Sequence, residues 1–183
     1  MGIGGKADGR SHVDGPETPT LEDLYRSDFH RLVSLAHGLS GSRAAAEELV
    51  QEAFLVAHRR WHRIEGYADP SAWLRRVVVN RSVSAFRRRV AEAVALTRLG
   101  SRRTMPDELP EHDEAVWRAV RALPPRQAQV VALYYVDDRS VTEIAEILEV
   151  AEGTVKAHLH HARQALARTL EDPAGSDASE VNR

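Results

Sequence analysis

Residues 140–168 read SVTEIAEILEVAEGTVKAHLHHARQALAR, and this stretch decides the fold. Ser140-Val-Thr-Glu143 has the S-x-x-E form of a capping box: the serine accepts from the Glu143 N–H and the glutamate answers the serine's own N–H. Apolar residues follow at Val141, Ile144, Ala145 and Leu148 with helical spacing. The run breaks around Glu149-Val150-Ala151. A second helix then carries Val155, Leu159, Ala162 and Leu166 at steps of four, three and four. Lys156, His158, His160, His161 and Arg163 lie off that packing face, and no acid occurs between Gly153 and Leu170. A capped helix, a three-residue turn and a longer acid-free helix make a helix-turn-helix. An ordinary αα-hairpin has the same outline. The charge distinguishes them. Glu143, Glu146 and Glu149 sit on the first helix, so positive charge is confined to the second, and the small Gly153 and Thr154 let its start approach a groove closely.

The 183 residues leave room for one domain or two small ones. The net charge of −2 excludes a uniformly basic coat, but the distribution is uneven. Between Arg59 and Arg89 stand nine arginines against two acids, Glu65 and Asp69, a footprint that attracts a polyanion. The absence of cysteine excludes disulfides, thiolate zinc sites and thiol redox sensing. No apolar run approaches the ~18 residues of a membrane span, and the N-terminus lacks the apolar core of a secretory signal. A cytoplasmic location is the expectation.

The periodicity predicts an all-α chain of two small helical domains joined by a flexible linker. Residues 1–19, rich in Gly, Asp and Pro, read as a tail. The first domain spans 20–90. In it, one helix starts at Thr20-Leu-Glu-Asp23 and ends near Gly38 to Gly41. Another covers Ser42 to Trp61, Ile64 to Asp69 is a loop, and a third helix runs from Pro70 to about Arg89. Residues 91–110, with Gly100, Pro106 and Pro110, form the linker. The second domain spans 111–170, with helices over Glu111–Leu123 and Arg126–Val136 before the helix-turn-helix. Ala128, Val131, Ala132 and Tyr135 are expected inward. Residues 171–183 are a second tail.

Trp61, Tyr67 and Trp73 are interleaved with the arginines, as suits a surface that neutralises phosphates and holds unstacked bases. Trp73 by itself also fits a core anchor. Glu47, Glu48, Gln51 and Glu52 form a polar ridge, which a basic partner could use, although helix surfaces carry acids routinely. His58 with His62 and His158 with His161 have spacings that can share a metal. Neither pair has a third ligand at a fixed spacing, so no metal is expected. Nothing has the form of a phosphate loop, a nucleophile elbow or a dinucleotide fingerprint, and no cofactor or enzymatic activity is expected.

Four segments in this order resemble the bacterial extracytoplasmic-function (ECF) sigma factors of RNA polymerase, in their minimal two-domain type. They are Glu47-Glu-Leu-Val-Gln-Glu-Ala-Phe54, Ser71-Ala-Trp-Leu-Arg-Arg-Val-Val-Val-Asn80 with Phe86-Arg-Arg-Arg89, Leu123-Pro-Pro-Arg-Gln127, and Glu152-Gly-Thr-Val-Lys156 with His160-His-Ala-Arg163. The resemblance covers roughly Leu21 to Leu170. It implies a region 2 domain that binds core polymerase at the β′ clamp helices and recognises and melts the −10 element. It implies a region 4 domain that binds the −35 element and the β flap. It assigns Glu48, Gln51 and Glu52 to the clamp contact. It assigns Arg63, Tyr67, Asp69, Trp73, Arg76, Asn80, Arg87 and Arg88 to −10 DNA, with Ile64 to Asp69 and Asn80 around an extruded base. It assigns Arg139, Gly153, Thr154, Lys156, His158, His160 and Arg163 to −35 DNA. An anti-sigma protein is a further partner by analogy. The chain departs from the family at Ala151, where serine is common, a cap loss worth about 1 kcal/mol. It departs again at His158 and His161, where basic residues are common, which implies weaker and more pH-sensitive duplex contact.

Two rivals make different predictions. A stand-alone helix-turn-helix regulator would bind a palindromic duplex as a homodimer and leave the arginine-rich and acidic segments without a task. A histidine-based metal hydrolase would require a stoichiometric metal.

Overall fold

A helix begins most readily where a side chain answers its free N–H groups, and Thr20, Ser42, Asp69 and Ser140 supply such caps here. The computed structural model describes residues 19–98 and 111–171, and among these there are eight helices and no strand. Helix α1 (Leu21–Ser40) opens on a capping box between Thr20 and Asp23 and closes at Gly41, which is left-handed at φ 72°. Ser42 caps α2 (Arg43–Arg59), its hydroxyl accepting the Ala45 N–H at 3.4 Å. A single turn, α3 (Trp61–Ile64), leads to the loop before α4 (Pro70–Arg98). There Asp69 accepts the Ala72 N–H at 3.0 Å. After the connection come α5 (Glu111–Ala122), α6 (Pro125–Tyr135) with proline in its first turn, α7 (Val141–Leu148) and α8 (Glu152–Glu171). The expected capping box at α7 is formed in full: Ser140 accepts from the Glu143 N–H at 3.2 Å and donates its own N–H to the Glu143 carboxylate at 2.8 Å.

The apolar stripes of α1, α2 and α4 meet in the front half, where Leu32, Leu35, Leu39, Val50, Ile64, Leu74, Val78 and Val79 are fully buried. Leu133, Ile144, Val130 and Val155 do the same for the rear half. Burying each such side chain contributes roughly 1.5–3 kcal/mol.

The two halves also pack on each other. The Trp117 indole lies against Gly38 of α1, where a Cβ would come within 2.2 Å of the ring. Arg121 donates to the Gly38 carbonyl at 3.0 Å and pairs with Glu114. Between them a charge is buried. The Arg75 side chain is only 4% exposed. Its guanidinium reaches both oxygens of Asp28 on α1, at 3.2 and 3.3 Å, and Asp137 in the α6–α7 turn at 2.6 Å. Ser71 also bonds both Arg75 and Asp28.

Two expectations are corrected. Helix α4 continues past Arg89 to Arg98, because residues 90–98 (VAEAVALTR) are mostly strong helix formers and no Gly or Pro intervenes before Gly100. Tyr135, expected inward, is 56% exposed. It ends α6, and its hydroxyl accepts from Arg163 at 2.8 Å on the surface. Residues 1–18, 99–110 and 172–183, which include nearly all of both expected tails and most of the expected linker, lie outside the described residues.

Glycine inside a helix costs ~0.5–1 kcal/mol relative to alanine, so propensity alone favours Gly38→Ala. The indole reverses that sign. Gly38→Ala is expected to lower stability by about 1–2 kcal/mol through overpacking, read as a reduced melting temperature by circular dichroism.

Candidate nucleic-acid interface

The arginine-rich segment sorts into distinct roles once folded. Arg75 is interior, and Arg89 donates to the Ser40 carbonyl at 2.9 Å, closing the end of α1. Arg81 pairs with Glu52 across α2 and α4 at 2.8 Å. Arg76 pairs with Glu149 at the end of α7. Arg59, Arg60, Arg63, Arg87 and Arg88 are exposed, Arg88 near Glu92 at 3.8 Å.

The −10 candidates fall into two places. Tyr67, Asp69, Trp73 and Arg76 line one cleft of about 400 Å³, with Ala68 and Ala72. Its opposite wall is Glu146, Ile147 and Glu149 of the helix-turn-helix. Tyr67 and Trp73 are half-buried against the core, so Trp73 serves as packing and as cleft wall together. Asn80 stands further along α4, its side-chain oxygen accepting from Gln129 at 2.8 Å. Arg63, Arg87 and Arg88 lie outside this cleft.

The polymerase candidates Glu48, Gln51 and Glu52 are all exposed along α2. Glu48 and Glu52 border a groove of about 600 Å³ between α2 and α4, whose other side is Asn80, Arg81, Ser84, Arg88 and Arg89.

On α8, Gly153, Thr154, Lys156 and His160 are exposed and His158 is half-buried. A Cβ on Gly153 would meet nothing within 4 Å. Packing within the fold therefore gives no reason for glycine there. Glu152, the first residue of α8, accepts from the Thr142 hydroxyl of α7 at 2.8 Å and so ties the two helices. That bond, and then Lys156 at 3.5 Å, hold its carboxyl below the usual range. The two remaining −35 candidates are engaged internally. Arg163 bonds Tyr135 and lies over the Tyr134 and Tyr135 rings at 5.6 and 5.8 Å. Arg139 bonds Asp137 and Glu143, both at 2.9 Å. Among the described residues no group of acids and histidines is placed to hold a metal, and no helix is long and apolar enough to cross a membrane.

Asp28, Arg75 and Asp137 were missed as a set by sequence reasoning. One signal was available: Arg75 falls three and four residues before Val78 and Val79, on the apolar stripe of α4. An arginine there requires buried acids.

Known proteins match along the same two halves. The Sigma-70 region 2 family matches residues 24–92, and the Sigma-70, region 4 family matches residues 113–166. The chain is similar to the ECF RNA polymerase sigma factor SigM of Mycobacterium tuberculosis, at 33% identity over 168 residues, 87% of this chain and 81% of that protein. It is similar to the ECF RNA polymerase sigma factor SigW of Bacillus subtilis at 28% identity, covering 83% of this chain and 88% of that one. The sigma factor RpoE solved in complex with the anti-sigma factor NepR from Bartonella quintana has a similar fold. Its TM-score is 0.62 at 24% identity, over 82% of this chain and 96% of that one.

Glu143 reports on the capping box. The Ser140 N–H, then the Ser140 hydroxyl and Arg139, lower its pKa from 4.5 to about 2. The fold favours the carboxylate, so this stabilisation is present above the ordinary value and is lost as pH falls toward about 2. A Glu143→Gln variant is expected to lose less melting temperature than the parent between pH 5 and pH 2, in units of about a degree or more.

Proposed function

The chain belongs to the sigma-70 family of RNA polymerase sigma factors, in its extracytoplasmic-function group, and we propose that it directs core polymerase to promoters through three separate surfaces. The acidic face of α2, with Glu48, Gln51 and Glu52, binds the β′ clamp helices. The cleft of Tyr67, Asp69, Trp73 and Arg76, with Asn80 along the same helix, receives an extruded base of the −10 non-template strand. Arg63, Arg87 and Arg88 hold that strand's phosphates. An extruded base that gains a pocket, and a strand that gains cations, together offset the few kcal/mol of unstacking. The start of α8, with Gly153, Thr154, Lys156, His158 and His160, enters the −35 major groove while the rear domain meets the β flap.

The observation that supports this best is the location of these groups. An exposed acidic helix face, an aromatic–arginine cleft and an exposed acid-poor helix start stand on different elements of one chain. A stand-alone regulator reading gives the first two no task. Arg139 and Arg163 contribute by positioning: Arg139 holds the turn into α7, and Arg163 braces the tyrosines at the end of α6. Either meets phosphate only by releasing these partners. An anti-sigma protein is carried over as a partner by analogy with the solved RpoE–NepR pair.

Transcription by core polymerase on a random promoter library, with and without the chain, tests the whole reading: enrichment of a two-element promoter is expected, and identical products would overturn it. Glu48→Lys, which leaves the Glu52–Arg81 pair intact, is expected to weaken core binding about tenfold in a titration. Gly153→Ala is expected to leave the melting temperature unchanged or raised, since nothing is met there. The same variant should bind a −35 duplex less tightly.

A further inference from the structure

Two side-chain stripes face each other across the groove between α2 and α4. Ala45, Glu48 and Glu52 come from α2 at steps of three and four, and Arg81, Ser84 and Arg88 come from α4 at the same steps. The arginines of the groove have different partners. Arg88 turns to Glu92 of its own helix at 3.8 Å, and Arg89 donates to the Ser40 carbonyl at 2.9 Å. Arg81 reaches across, its Nη1 donating to Glu52 Oε2 at 2.8 Å. Both ends of that bridge stand on fixed backbone. Val79, Ser82 and Val83 around Arg81 are buried, and so are Val50 and Ala53 beside Glu52.

The acids of the α2 ridge are therefore not equivalent. Glu47 turns to Arg43 of its own helix at 3.1 Å. Glu48 is exposed at the rim of the groove. Glu52 is held and yet accessible, its side chain 53% exposed. A carboxylate accepts on both of its oxygens. Arg81 takes Oε2, so Oε1 remains for a donor from outside. The Arg81 side chain is 36% exposed and shares the groove with Leu49 and Ala85, so the pair is screened less than one on open surface.

We propose that Arg81 is a positioning residue for the polymerase contact: it fixes the Glu52 carboxylate with one oxygen outward, set for a cation or N–H of the clamp. The proposal rests on the promoter reading above, which places Glu52 at that contact. Two effects of Arg81 oppose each other. Its charge offsets part of the attraction that Glu52 offers a basic partner. Its hydrogen bond removes in advance the rotamer freedom that a glutamate loses on docking. A bridge that leaves one oxygen open favours the second effect, because the partner adds to the pair instead of displacing Arg81.

The test is a titration of core polymerase with the full-length chain, arranged as a double-mutant cycle. Arg81→Met keeps the stem and removes the donor, and is expected to weaken core binding about threefold. Arg81→Lys restores a charged donor and should recover most of that loss. In a Glu52→Ala chain, Arg81→Met is expected to cost nothing further. Once saturated with core, the parent and Arg81→Met should take a dye-labelled −10 single strand equally well. Arg81→Met that binds core as tightly as the parent, or more tightly, would overturn the proposal. So would a loss that persists undiminished in the Glu52→Ala chain, or one that Arg81→Lys does not recover. Weaker strand binding by the saturated Arg81→Met complex would place Arg81 on the DNA and overturn it as well. If Glu52→Ala alone leaves core binding untouched, the assignment of Glu52 to the clamp fails and this proposal with it. If Glu52→Ala weakens core binding and Arg81→Met does not, the proposal fails by itself.

Discussion

A guanidinium taken out of water must be answered along its whole edge, because the effective cost of burying one unpaired ion is several kcal/mol. Arg75 is such a group, and its answers come from two parts of the chain. Asp28 and Ser71 belong to the front half and would satisfy one side of it alone. Asp137 completes the set from 62 residues away. Asp137 is itself 1% exposed and is also approached by Arg31 and Arg139. Neither half can bury its share of these charges by itself. Removing one partner of such a pair typically costs about 3–5 kcal/mol, whereas separating the halves intact returns every charge to water. The junction is thus demanding about its members.

The same economy runs through the surfaces. Arginines that looked alike along the sequence divide by what reaches them. One is interior, one closes a helix end, two pair with acids on neighbouring helices, and others such as Arg63, Arg87 and Arg88 face solvent. The half-buried Trp73 and Tyr67 anchor the loop-to-helix junction while leaving a cleft beside it.

Local signals read well in this chain. The capping box at Ser140, the helical spacing of both halves, the cap at Asp69 and the break at Gly41 depend on residues three or four apart, and the sequence shows those directly. Long-range partnerships did not show. Nothing local reveals that Gly38 is needed by Trp117, that Gln129 takes Asn80, or that Asp137 answers Arg75. The helical spacing of Tyr135 from Ala128, Val131 and Ala132 points it inward; the competing pull is a hydroxyl partner on α8, outside any window of spacing. Helix α4 outruns the expected end near Arg89 because the backbone preference of residues 90–98 carries it on.

Helix α4 is unbroken over 29 residues, about 43 Å at 1.5 Å per residue. It starts at the cleft, carries Arg75 and Asn80, and ends at Arg98, where the connection to the rear half departs. Arg98 lies roughly 35 Å beyond Arg75 along a stiff rod. The helix therefore carries the chain about that far from the buried charge cluster before the connecting segment begins.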